Sequence, residues 1–194
     1  MSGVRRFAQW GLWFGGALVL LAALLIGVDV LMRKFLALSI GGADELAGYS
    51  LAIGTAWGLG AALLDRAHIR IDSLYVLFPQ RLRLALDFIA LILLVGFFAL
   101  IAWRGWGVVG QSWQSGSRSQ SALETPIVVP QALWLAGLAA FVAIGVVLLL
   151  DALRILASGD LRNAARLVST RSAEEEVEDE IRDLKGRQAR EGSG

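Results

Sequence analysis

The sequence predicts an all-α integral membrane protein with four transmembrane helices, both termini in the cytoplasm and a charged C-terminal tail. Hydrophobic residues make up 56% of the 194 residues, and the mean hydropathy is +0.62. They lie in long runs without charge, and about 20 such residues cross a hydrocarbon core of roughly 30 Å as a helix. A soluble domain would not concentrate them in this way. We therefore expect a four-helix domain over residues 1–157 and a cytoplasmic tail over 158–194.

The first span is predicted at about residues 7–32. The stretch from Phe7 to Val28 carries no charge, which is longer than the apolar core of about 7–15 residues in a signal peptide, so we expect a retained helix. Asp29 and Arg33 follow at i,i+4 spacing and are expected to pair on one helix face near the membrane interface. Earlier in this span, Gly11 and Gly15 form a small-residue patch.

The second span, about residues 44–65, opens with two acids, Asp44 and Glu45, and continues without charge to Leu64. The acids are expected either to interact with the helix N-terminus or to make a polar contact with a partner protein or a charged ligand at the membrane face. Adjacent side chains on a helix point about 100° apart, so the two carboxylates do not form a catalytic pair.

The middle of the second span predicts close packing. Small residues recur there every four positions and would allow another helix backbone to approach. Trp57 lies about 18 Å along the helix from Glu45. Its indole N–H needs a hydrogen-bond partner, either at a protein–protein interface or in ordinary helix packing. The small residues are Ser50, Gly54, Gly58 and Ala62.

The third and fourth spans are predicted at about residues 82–106 and 127–156. Arg83 and Asp87 have i,i+4 spacing on the first turn of the third span. The Ser- and Gln-rich residues 111–125 are typical of an exposed connection. Pro126 and Pro130 fall in the first turns of the fourth span, where a missing backbone N–H costs little.

The segment between the second and third spans contains the only histidine, His68, with Asp72 four residues later. In a helix the carboxylate would orient or charge the imidazole, and a proton relay is one interpretation. A single histidine outside the apolar spans is weak support for a relay. We expect a structural or docking role.

The distribution of Lys and Arg predicts the orientation in the membrane. With the N-terminus in the cytoplasm, ten basic residues of the connections and flanks lie inside and four outside, the four being Arg33, Lys34, Arg104 and Arg118. In the tail, Ser172 and Glu175 fit a capping box. A short amphipathic cytoplasmic helix and a solvated tail both remain open.

Several classes of function lack the residues that they need. The chain has no cysteine and one histidine, so thiol chemistry and a bis-histidine haem within this chain are excluded. It contains no Walker A, HExxH, GxSxG or dinucleotide-binding fingerprint. The basic residues are scattered and predict no nucleic-acid binding. We expect neither an enzyme nor a cofactor in this chain.

The order of these motifs resembles the small membrane subunit (DctQ-type) of tripartite ATP-independent periplasmic, or TRAP, transporters. Arg33 closes the first span and Trp57 precedes a run of small residues. The resemblance covers roughly residues 5–156. It also rests on Asp44-Glu45-Leu46, the segment from Arg66 through His68 and Asp72, Pro79, Arg81, Arg83, the stretch from Glu124 to Pro130, and Trp134.

The resemblance implies a scaffold subunit in a bacterial inner membrane. It implies two protein partners, a large membrane subunit that holds the substrate and sodium sites and a periplasmic solute-binding protein that delivers an organic acid. Uptake would be driven by an ion gradient. The remaining alternative is a self-sufficient homo-oligomeric transporter or channel whose interface is the small-residue face of the second span.

Overall fold

A computed structural model of the chain describes residues 2–65 and 78–158, together with the single residues Leu167, Ile181 and Leu184. The described part contains four helices, each long and apolar enough to cross a membrane. The predicted fold class, an all-α membrane protein with four spans, is confirmed. The helices are α1 (Ser2–Leu36), α2 (Ala43–Leu64), α3 (Gln80–Ser115) and α4 (Val128–Ala157).

The first and third helices extend beyond their predicted spans, α1 through charged residues at both ends and α3 through an uncharged stretch. The third span was predicted to end near residue 106, but α3 continues to Ser115 and includes part of the expected connection. No charged residue lies between Arg104 and Arg118. The helix ends at Gly116, which has a φ of 59°. Glycine adopts this left-handed conformation readily, so it makes an effective C-terminal cap.

The four helices pack in the order α1–α2–α4–α3. Helices that follow each other in the sequence run in opposite directions. Arg5 at the start of α1 lies 3.8 Å from Asp65 at the end of α2, and Leu84 near the start of α3 packs with Ala152 near the end of α4. The bundle therefore has two ends. The loop end carries the α1–α2 loop (residues 37–42) and the α3–α4 loop (residues 116–127). The terminal end carries the start of α1, the end of α2, the start of α3 and the end of α4.

The core lies where α4 packs between α2 and α3. Phe141 of α4 is 1% exposed, and the edge of its ring meets Phe98 of α3 at a centroid distance of 4.7 Å. Gly145 lets Val95 of α3 approach, since a Cβ there would lie 2.5 Å from a valine methyl. Ile144 and Leu148 complete the buried face of α4.

Two parts of the sequence prediction lie outside the described residues. His68 and Asp72 fall within residues 66–77, and the predicted tail helix falls within the region after Ser158, of which the structure describes single residues alone. Their expected roles stay predictions.

Candidate functional site

The loop end is organised around the carboxylate of Glu45, in the first turn of α2. Its Oε2 atom accepts hydrogen bonds from the hydroxyls of Ser119, at 2.8 Å, and Ser121, both in the α3–α4 loop. The hydroxyls of Tyr49 and Thr125 lie near the same carboxylate. Its Oε1 atom is buried and accepts no hydrogen bond from the residues that the structure describes. Glu45 thus ties α2 to a loop more than 70 residues away.

The α3–α4 loop is folded so that both serines face α2. The Ser119 N–H donates to the Thr125 carbonyl at 2.9 Å, and the Ile127 N–H donates to the Ser117 carbonyl at 3.1 Å. These bonds close residues 117–127 into a hairpin-like turn. Backbone hydrogen bonding therefore sets the loop's shape, and the residues predicted to form an exposed connection are partly ordered against the bundle.

The α1–α2 loop packs directly against the α3–α4 loop. A Cβ on Gly42 would lie 2.5 Å from Leu123, and its φ of 89° is in the left-handed region. A Cβ on Gly41 would lie 3.0 Å from Ala122. Both the space and the backbone conformation require glycine at position 42. The two loops consequently form one connected surface.

Asp29 and Arg33 fix the other side of this surface. The predicted pair is present, with 2.5 Å between Arg33 Nη2 and Asp29 Oδ2. Asp29 is 1% exposed, and its Oδ1 atom accepts the Ile40 N–H at 2.6 Å and the Ser39 hydroxyl at 3.1 Å. The pair thus holds the α1–α2 loop. Asp44, a largely exposed side chain, lies 3.8 Å from Arg33, and in that geometry an ion pair contributes little.

Trp57 lies at the crossing of three helices. Its indole N–H donates to the Leu133 carbonyl of α4 at 3.0 Å. Its ring meets Phe14 of α1 edge-on at a centroid distance of 5.5 Å. Gly11 and Gly137 make room for it, since a Cβ on either would approach Trp57 atoms within 3.0 Å. The indole N–H therefore has its partner inside this chain.

The small-residue faces of α1 and α2 meet each other. A Cβ on Gly15 would lie 2.6 Å from the Gly54 carbonyl oxygen, and one on Gly54 would lie 2.8 Å from that of Gly15. Gly58 is in looser contact, with Leu12 at 3.8 Å from a built Cβ. Ser50 and Ala62 are half-buried. The closest approach on this face is therefore within the chain.

The two prolines mark the beginning of α4. Pro126 pairs with Arg118 in an isolated bridge that closes the loop. Its carbonyl accepts the Val129 N–H at 3.1 Å. Pro130 is buried in the first turn of the helix. Neither proline removes a needed donor, as expected for these positions.

The partners of the acids, Ser39, Ser119 and Ser121, were not singled out from the sequence. The Ser-rich composition of residues 115–121 was the available signal. Chemically, the loop end is a set of carboxylates that accept hydrogen bonds or ion pairs from local hydroxyl, amide and guanidinium donors. Among the residues with described positions, no three His, Cys, Asp or Glu side chains could hold a metal ion. The arrangement fixes loops in place.

Comparison with known proteins gives one match. The family model described as "Tripartite ATP-independent periplasmic transporters, DctQ component" matches residues 10–155. That range contains most of α1 and α4 and all of α2, α3 and the loop end. Searches of curated proteins and of solved structures gave no match.

Proposed function

The chain belongs to the DctQ family, the small membrane component of tripartite ATP-independent periplasmic (TRAP) transporters, and on that premise we propose that it is the scaffold subunit of one such transporter. It is a transporter component and not an enzyme. Its proposed partners are a large membrane subunit and a periplasmic solute-binding protein. The observation that carries the proposal is the family match over residues 10–155, because it takes in all four spans.

The continuity of the helices supports a scaffold role. Transport sites in secondary transporters are commonly built from discontinuous helices near the middle of the membrane. Here α1, α2, α3 and α4 each run unbroken through their apolar stretches. The acids of the loop end, Asp29 and Glu45, are occupied by contacts within the chain. The substrate and sodium sites are accordingly proposed for the large subunit, with no cofactor in this chain.

The proposed location is a bacterial inner membrane with both termini in the cytoplasm. The excess of basic residues on the terminal side supports this orientation. The loop end would then face the periplasm. Since the two loops pack on each other and are tied to α1 and α2 by Asp29 and Glu45, they would offer a firm surface to the solute-binding protein. The substrate class proposed is an organic acid, taken up with an ion gradient.

The geometry disfavours the homo-oligomeric alternative. That reading needs the small-residue face of α2 to be open for a second copy. Gly54 is instead covered by Gly15 of α1 at backbone contact. A second copy would have to displace α1 to use the same face.

The proposal is tested by co-purification from detergent. The tagged chain is expressed with the TRAP large subunit encoded beside its gene, and with an unrelated permease as a control. A stable one-to-one complex with the neighbouring large subunit alone is expected. A chain that purifies as a monomer, with no large subunit bound, contradicts the scaffold assignment.

A further inference from the structure

We propose that the terminal end of α1 carries a binding site for the headgroup of an anionic phospholipid, formed by Arg6, Gln9, Trp10 and Trp13. This headgroup site is independent of the transporter assignment, because it uses a face of α1 that points away from α2. Among the residues that the structure describes, these four line one surface cavity of about 470 Å³.

The four side chains share a face because of their spacing. Positions 6, 9, 10 and 13 are related by steps of three and four, and residues so spaced are neighbours on a helix surface. The opposite face of the same turns, Ala8, Gly11 and Gly15, is buried against α2. Trp10 and Trp13 are 76% and 77% exposed. The packing of α1 on α2 therefore turns both indoles outward.

The free polar groups of the headgroup site are mainly donors. The guanidinium of Arg6, the amide of Gln9 and the indole N–H groups of Trp10 and Trp13 have no hydrogen-bond or ion-pair partner among the described residues. Arginine and tryptophan side chains offer donors and no acceptor. A phosphate diester offers acceptors alone, so its hydrogen-bonding capacity complements that of the site.

The charges at the start of α1 also favour an anionic headgroup. Arg5, the neighbouring cation, lies 3.8 Å from Asp65. Arg6 has no such carboxylate in the described part of the chain, and α1 contains no acid before Asp29. Basic groups at a membrane surface attract anionic lipids by about 1 kcal/mol each. A net negative headgroup is therefore favoured over a zwitterionic one.

The depth of the site fits a lipid better than a protein partner. Tryptophans favour the membrane–water interface, where the ring lies among acyl chains and the N–H reaches the headgroups. Trp10 and Trp13 stand within the first four turns of α1, with the cationic Arg6 nearer the helix start. A lipid would place its phosphate at Arg6 and its glycerol and upper acyl chains along the indoles.

Native mass spectrometry of the detergent-purified full chain tests the site. Dioleoylphosphatidylglycerol and dioleoylphosphatidylcholine are added separately at equal concentrations. We expect the wild type to retain phosphatidylglycerol in preference to phosphatidylcholine. Arg6→Gln should weaken phosphatidylglycerol binding about fivefold, the factor that corresponds to about 1 kcal/mol. Trp13→Ala should weaken binding of both lipids.

The matched control is Arg104→Gln. Arg104 is also an exposed arginine near two exposed tryptophans, Trp103 and Trp106, but it lies toward the loop end of α3. This variant should bind phosphatidylglycerol like the wild type. An equal loss in the Arg6 and Arg104 variants, or equal binding of the two lipids by the wild type, overturns the proposal. So does displacement of the lipid by inorganic phosphate. In the co-purification with the large subunit described above, an Arg6→Gln variant that keeps its lipid but loses that subunit would make this face a protein contact instead.

Discussion

Glu45 is the residue whose chemistry most directly holds the loop end together. One of its oxygens accepts two serine hydroxyls, and the other is buried. Hydrogen bonds to an ionised acceptor are about twice as strong as those between neutral groups. A carboxylate at this position therefore stabilises the α3–α4 loop more than an amide of the same shape could.

Glu45→Gln should loosen this loop without unfolding the bundle. The amide replaces one acceptor oxygen by a donor and weakens the contacts to Ser119 and Ser121, at a cost of about 1–3 kcal/mol. Amide hydrogens of residues 117–127 should exchange roughly five times faster or more, which hydrogen–deuterium exchange measures. Glu124→Gln is the control, since that exposed side chain lies on the same loop. Equal exchange in both variants would show that Glu45 does not anchor the loop.

Residue-scale prediction succeeded where the contact was local in sequence. Asp29 and Arg33 pair because i,i+4 spacing puts them on one helix face. For Glu45 the sequence predicted an interaction with the helix N-terminus or with a partner protein or ligand, whereas its hydrogen-bonding partners are serines 74 and 76 residues away in the same chain. No periodic pattern links a helix to a distant loop, so that contact emerged only with the fold.

At the scale of elements, the α1–α2 crossing depends on two glycines. Gly15 and Gly54 bring the helix backbones together, with less than 3.0 Å between a built Cβ and the facing carbonyl oxygen. In lipid the hydrophobic effect does little to bring helices together, because the acyl chains are as apolar as the side chains. Close packing of this kind is therefore a main source of helix association. Neither position has room for a side chain.

Gly15→Leu should push α1 away from α2. Overpacking of this kind costs about 1–3 kcal/mol, and the melting temperature in detergent should fall accordingly. Gly16→Leu provides the comparison, because a Cβ on that adjacent glycine meets nothing within 4 Å. The second variant should melt within a degree or two of the wild type. Equal losses for the two variants would contradict the backbone contact.

The sequence predicted the positions of the helices better than it predicted which helices pack side by side. Charge-free runs located all four spans, and the small residues that recur every four positions in α2 indicated close helix packing. The same pattern could not say whether the facing helix belonged to this chain or to another. Trp57 shows the same limit. Its predicted distance from the membrane interface implied a partner for the N–H, while the identity of that partner, Leu133, depends on which helix packs beside α2.

At the scale of the whole molecule, the packing order leaves α1 and α3 at the edges. In their most apolar windows, 17% and 22% of the residues are buried, against 39% for α4. The edge helices therefore keep most of their apolar surface for lipid and for a partner. Composition and motif order predicted the fold class and family, but the order of helix packing could not be read from them.

The proposed orientation can be measured by cysteine labelling, because the chain contains no cysteine. Gln120→Cys lies at the loop end and Ser2→Cys at the terminal end, and both positions are exposed. In intact spheroplasts a membrane-impermeant maleimide should label the first and spare the second. Permeabilised cells, in which both should react, provide the control. Labelling of position 2 alone in intact spheroplasts would show that the orientation is the opposite of the one proposed.

The central claim is that this chain serves transport as one part of a tripartite system. Uptake of an organic acid into proteoliposomes under a sodium gradient tests it most directly, with the substrate chosen as the ligand of the neighbouring solute-binding protein. Liposomes that contain this chain together with the large subunit, with the binding protein added outside, should accumulate substrate. Those lacking this chain, or containing it alone, should not. Uptake by this chain alone, or undiminished uptake in its absence, would contradict the account.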